Sequence, residues 1–319
     1  MVQPPRRFLI KMKISKKIIP LMLMLCVILS ACTSEEQPRD ESKLQIVCSD
    51  FPAYDFAREI AGNRAQIKLL LKPGAEVHSY EPAPKDVVAI EESDLFIYNG
   101  GESEQWVETL VDGEVRTLRM MDCVETVEES GAGIYAAEGD EEEDELDEHV
   151  WTSPLNASEI CRAICDELCE LDPDGADEYM LNFEVYNAKL MELDIEIRTT
   201  VLNGVRRTLV FADRFPMRYF TREYGLEYYA AYPGCASQTE PSAKTVAFLI
   251  DHVREDGIPA VLYMEFSNEK MADVICEDTG CKKLPFYSAH SVTAQQFDTG
   301  VTYLDLMYMN INTLKEALY

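Results

Sequence analysis

Beyond Pro173 and Gly175, the stretch from Asp172 to Leu202 near the middle of this 319-residue chain contains no further proline or glycine. Tyr179, Phe183, Tyr186, Leu190, Leu193 and Ile197 fall three or four residues apart within it, which is the spacing of one apolar stripe on a helix. About thirty helical residues span roughly 45 Å, long enough to brace two separate lobes.

On either side of that stretch, short apolar runs alternate with helical patterns. In the first half, Gln45–Cys48, Ala65–Leu71 and Leu95–Asn99 read as strands, and Ala53–Ala61, Pro84–Glu92 and Glu104–Val111 as helices. In the second half, Thr208–Ala212 and Ala260–Glu265 read as strands, and Arg218–Tyr224, Lys244–Glu255 and Tyr303–Leu318 as helices. Strands separated by helices of about ten residues specify parallel sheets covered on both faces. The expected fold is therefore α/β, with two doubly wound parallel-sheet lobes (44–171 and 204–319) joined by a long rigid helix (172–203).

The first 32 residues read as an export signal. Arg6, Arg7, Lys11, Lys13, Lys16 and Lys17 precede an apolar run, Ile18–Ala31, that is short for a membrane span but suits a signal peptide. The run ends in Leu29-Ser30-Ala31-Cys32, which resembles a bacterial lipobox whose cysteine, Cys32, carries the lipid. Residues 33–43 then form a polar tether, and the mature protein is expected outside the cytoplasm, held at the membrane by that anchor.

Removing six positive charges and no acid from a formal charge of −29 leaves −35 on the mature chain. That field repels nucleic acid and anionic lipid, attracts cations and favours a soluble monomer. Nine of eleven residues from Glu138 to Glu148 are acidic, a run expected to stay solvated and unfolded. Cys161, Cys165 and Cys169 share one helical face and read as core packing, whereas Cys276 and Cys281 flank Gly280 closely enough for a disulfide.

The chain has four histidines. His252 lies within a helical pattern beside Asp251 and reads as structural. His78, His149 and His290 lie in loops, and open α/β sheets bind ligands in the crevice beyond their strand ends. His78 stands in Pro73-Gly74-Ala75-Glu76-Val77-His78-Ser79-Tyr80-Glu81-Pro82, and His149 in Asp147-Glu148-His149-Val150-Trp151-Thr152-Ser153-Pro154. These segments resemble the two histidine motifs of the zinc- and manganese-binding lipoproteins of metal ABC importers. The similarity continues through Ser93–Gly100, Glu240-Pro241-Ser242 and Tyr303–Met307.

The resemblance implies two α/β lobes with a metal held between them by four protein ligands. His78 and His149 match the two motifs, and His290 falls where the family places its final ligand. The third position departs from the family. Counting back from Tyr224-Gly225-Leu226 lands on Arg214, whose guanidinium cannot bind a cation, so the adjacent Asp213 is expected instead, with Glu240 and Glu265 as substitutes. Three neutral imidazoles and one carboxylate suit zinc, with manganese as the alternative, and binding is expected to fail below about pH 6. The acidic run occupies the place of the family's histidine-rich loop but has no histidine before His149.

These features imply a carrier that passes its metal to a membrane permease, not an enzyme. Two alternatives stay open at this stage. A zinc-dependent hydrolase would need an open coordination position and a general base, and no helical His-Glu-x-x-His motif is present. A surface metal-binding adhesin without transport would use the same domain.

Overall fold

The computed structural model describes residues 39–75, 80–111, 113–129, 146–234 and 242–319. Cys32, His78, Glu240 and residues 138–145 of the acidic run lie outside that set.

The first lobe opens with β1 (Leu44–Cys48), which runs into α1 (Phe51–Ala61). Asp50 caps that helix by accepting from the Ala53 amide at 3.0 Å, and Pro52 suits its first turn. There follow β2 (Ala65–Leu69), α2 (Pro84–Glu91), β3 (Leu95–Tyr98), the short α3 (Trp106–Leu110), β4 (Thr117–Arg119) and α4 (Pro154–Leu171). The four strands form one parallel sheet in the order β2-β1-β3-β4, with Ile46 level with Ile67 on one side and with Leu95 on the other. Cys161 and Cys165 on α4 are fully buried, as core packing requires.

The long helix α5 (Ala176–Asn203) carries the stripe seen in the sequence. Tyr179, Phe183, Tyr186, Leu190, Leu193 and Ile197 are all buried, each contributing about 1.5 to 3 kcal/mol of apolar burial.

Beyond it come β5 (Thr208–Phe215), α6 (Arg218–Tyr224), β6 (Glu227–Pro233), α7 (Ala243–Glu255), β7 (Ala260–Met264), α8 (Lys270–Thr279), β8 (Lys282–Phe286), α9 (Ala294–Asp298) and α10 (Tyr303–Leu318). Their strands form a second parallel sheet in the order β6-β5-β7-β8, the same topology as the first. Helix α5 packs on α1 and α4 of the first lobe and on α6 and α10 of the second. In each sheet the order reverses direction beside its first strand, so the crevices that can take a ligand open beyond β1 and β3 and beyond β5 and β7.

One detail departs from the sequence reading. The acidic run is not solvated throughout, because Asp147 and Glu148 at its end are each about 1% exposed. Glu148 accepts from Ser103 through both oxygens, and Asp147 from the His149 amide through Oδ1, while Asp147 Oδ2 is left without a partner. The Cys276 and Cys281 sulfurs lie 3.3 Å apart as an unbonded pair of thiols.

Candidate metal centre

The loop that carries His149 is held by its neighbours in sequence. Asp147 Oδ1 accepts from the His149 amide at 2.8 Å and stands 3.2 Å from His149 Nδ1. A proton on Nδ1 facing Asp147 leaves the Nε2 lone pair for a ligand. Burial alone would lower the pKa of this ring, but the Asp147 carboxylate outweighs it and holds the imidazole above its ordinary value.

Glu148 fixes the loop from the other side. Its carboxylate accepts from the amide and the hydroxyl of Ser103, and its carbonyl accepts from Asn99 Nδ2 at 2.8 Å. Gly101 is needed at this junction, because its φ is 87° and a Cβ there would meet Glu148 at 2.5 Å. Gly234, at the end of β6, likewise passes close to His149. A Cβ on it would lie 3.0 Å from the ring.

His290 comes from the second lobe, in the loop after β8. Glu265, half-buried just past β7, accepts from the amide and hydroxyl of Ser288 and from the His290 amide at 3.3 Å. Burial raises the Glu265 pKa, and those donors oppose the rise. Ala289, between Ser288 and His290, sits at φ 62°, a left-handed conformation that few non-glycine residues adopt.

The two imidazoles meet between the lobes. Their ring centroids are 5.4 Å apart and nearly perpendicular, and Trp151 lies against both, 5.6 Å from His149 and 4.6 Å from His290. Asp50, two residues beyond β1, has Oδ2 3.8 Å from His290 Nε2. Burial and the nearby Glu104 push the Asp50 carboxyl upward, and burial pushes Glu104 itself to about 7. A pocket this rich in buried acids suits a cation.

The structure thus brings His149 and His290 together. Asp213 lies at a bulge in β5, where its carboxylate accepts from the Arg214 amide at 2.9 Å and the Met264 amide at 3.4 Å. Both oxygens of Glu265 are engaged by the loop they hold. His252 stacks on Tyr229 at 3.9 Å, a structural placement away from the pair. Among the described residues, no three histidine, cysteine or acidic side chains already converge tightly enough to grip an ion. Asp50 and Trp151 were missed as site residues, although Asp50 lies two residues beyond the first strand and so occupies a position where ligands bind.

Comparison with known proteins places this arrangement in a family. The chain is 29% identical to the high-affinity zinc uptake system protein ZnuA of Bacillus subtilis, over 86% of its length and 88% of that protein's. It is 30% identical to the zinc-binding lipoprotein AdcA of Streptococcus pneumoniae over 95% of its length, while spanning only 61% of AdcA. The structure of the Zn(II)-bound ZnuA-like domain of that AdcA superposes with a TM-score of 0.71 at 28% identity, covering 86% of this chain and 99% of the domain. Residues 46–317 match the family model for the periplasmic component A of zinc-uptake complexes, and this chain belongs to that family.

Proposed function

We propose that this protein captures zinc in the cleft between its lobes and delivers it to the permease of an ABC importer. The supporting observation is the meeting of His149 and His290, from opposite lobes, edge to face at 5.4 Å in a buried acidic pocket. His78 is the third imidazole in this reading. A carboxylate completes the set, and Asp213 is the one to which the sequence points. Four-coordinate, nitrogen-rich ligation favours zinc over manganese, which more often recruits further oxygen donors.

In this reading the chain is a carrier and not an enzyme. It works outside the cytoplasm as a monomer, tethered by a lipid on Cys32. No described helix is long and apolar enough to cross a membrane.

Titration of the metal-stripped mature protein with zinc and manganese tests the proposal. One equivalent of zinc should bind, more tightly than manganese, and the variants His78→Ala, His149→Ala and His290→Ala should each weaken it by about 100-fold or more. Wild-type affinity in the His149 and His290 variants would overturn it.

A further inference from the structure

We infer that Asp50 is the carboxylate of this metal site, in place of the expected Asp213. The inference rests on the metal-binding reading and adds a residue to it.

Asp50 has two oxygens in different circumstances. Oδ1 caps α1 by accepting from the Ala53 amide at 3.0 Å. Oδ2 has no hydrogen-bond partner among the described residues, although the residue is only 1% exposed. A buried carboxylate oxygen without a donor is costly unless something positive faces it.

What faces it is His290 Nε2, 3.8 Å away. That distance is too long for a hydrogen bond. It is close to the separation of two donors on one ion, since bonds of about 2.0 to 2.1 Å in tetrahedral geometry put the donor atoms roughly 3.3 Å apart. A shift of about half an ångström, small beside ordinary loop adjustments on binding, brings the pair to that value. His149 lies beside His290, with its Nδ1 turned to Asp147.

Most of the other acids around the pocket are already engaged. Asp213 is taken by the amides of Arg214 and Met264, Glu265 by Ser288 and His290, and Glu148 by Ser103. Asp147 holds the far nitrogen of His149. Asp50 and Asp147 each keep one buried oxygen without a hydrogen-bond partner, and it is that of Asp50 that stands 3.8 Å from the Nε2 of a candidate ligand.

The test uses the full mature chain stripped of metal, with zinc alone as the probe and a chromophoric chelator as competitor. Asp50→Asn keeps the capping oxygen and removes the charge, so the metal-free variant should unfold at the wild-type temperature. Its zinc affinity should fall by about 100-fold, whereas Asp213→Asn should stay within about threefold of wild type. Cobalt(II) bound to Asp50→Asn should show altered visible absorption bands, which loss of a distant support would leave in place.

An Asp50→Asn protein that binds zinc within about threefold of wild type, with an unchanged cobalt spectrum, overturns the inference. If His149→Ala has lost binding in the same experiment, the metal-carrier reading stands without Asp50. If His149→Ala also binds normally, that reading fails with it. Should Asp50→Asn not fold, Asp50→Ser, which keeps a capping oxygen, takes its place and is held to the same outcomes.

Discussion

The indole N–H of Trp151 donates to the carbonyl oxygen of Ser288 at 2.8 Å, tying the loop behind His149 to the loop in front of His290. The two residues belong to different lobes, and Trp151 is fully buried against both imidazoles. Tyr303 reinforces the junction by donating its hydroxyl to the Trp151 carbonyl at 2.8 Å. Trp151→Phe would keep much of the ring packing and leave the Ser288 carbonyl without its donor. Metal-free stability measured in urea should fall by about 1 to 3 kcal/mol, and zinc should dissociate about tenfold faster as the loops lose register. Unchanged release in stopped-flow measurements with a chelator would mean that the bridge does not hold the site.

Asp147 makes a second prediction, in which two effects oppose each other. Its carboxylate orients His149 through Nδ1, so Asp147→Ala should weaken zinc binding by about 10- to 100-fold at pH 8. The same carboxylate is what raises the pKa of the buried ring. Zinc needs the neutral imidazole, so wild-type affinity should be lost as the pH falls through a value above the ordinary 6.5 or so of histidine. Removing Asp147 lowers that pKa, so the variant should bind less tightly at pH 8 yet keep its remaining affinity to a lower pH. Parallel zinc titrations from about pH 8 to pH 5 measure both effects.

The elements that place this site were legible because their signals are local. The stripe from Tyr179 to Ile197 is buried as its spacing required, and β1, β3, β5 and β7, whose ends line the cleft, are the apolar runs of the sequence. Strands β4, β6 and β8 were not anticipated, for physical reasons. Strand β4 has three residues, and β8 begins with two lysines and contains Pro285, composition tolerated because it is an edge strand.

The site was only partly legible. His149 and His290 announce themselves as scarce residues in loops after strands. Asp50 does not, since an aspartate two residues ahead of a proline reads as an ordinary helix cap, and that role conceals the oxygen left over. The burial of Asp147 and Glu148 depends on donors at His149 and Ser103, and the Ser103 contact pairs residues far apart in the chain, which charge density cannot foretell.

The Cys276 and Cys281 thiols, 3.3 Å apart across the turn from α8 to β8, should join when the protein meets a disulfide oxidant of the thiol-exchange class. Each thiol gives up its hydrogen, and the oxidant's disulfide is reduced. Burial pushes the Cys276 thiol up to about 12, so little thiolate is present and the reaction should be slow at neutral pH. Closing this six-residue ring should stabilise the metal-free protein by about 2 kcal/mol, without changing zinc affinity. Alkylation followed by mass spectrometry, with and without reduction, reads the bond directly. Two alkylated thiols at these positions after prolonged oxidation would exclude it.

Asp55, fully buried on α1, accepts from the Tyr303 amide at 2.8 Å and pairs with Arg58. Burial pushes its carboxyl up to about 6, with Arg58 and the Tyr303 amide resisting the rise. The folded state therefore holds this proton more tightly than the unfolded chain, where an aspartate titrates near about 4. The stability it contributes is fully present below about pH 4 and is lost as the pH rises through about 6, an effect of at most about 3 kcal/mol. Asp55→Asn keeps an oxygen for the Tyr303 amide but cannot titrate, so its stability relative to wild type should improve as the pH is raised from about 4.5 to 8. Urea unfolding of both metal-free proteins across that range gives the difference at each pH. A difference that does not vary with pH would mean that Asp55 is ionised in the folded protein across the whole range, held there by Arg58 in spite of its burial.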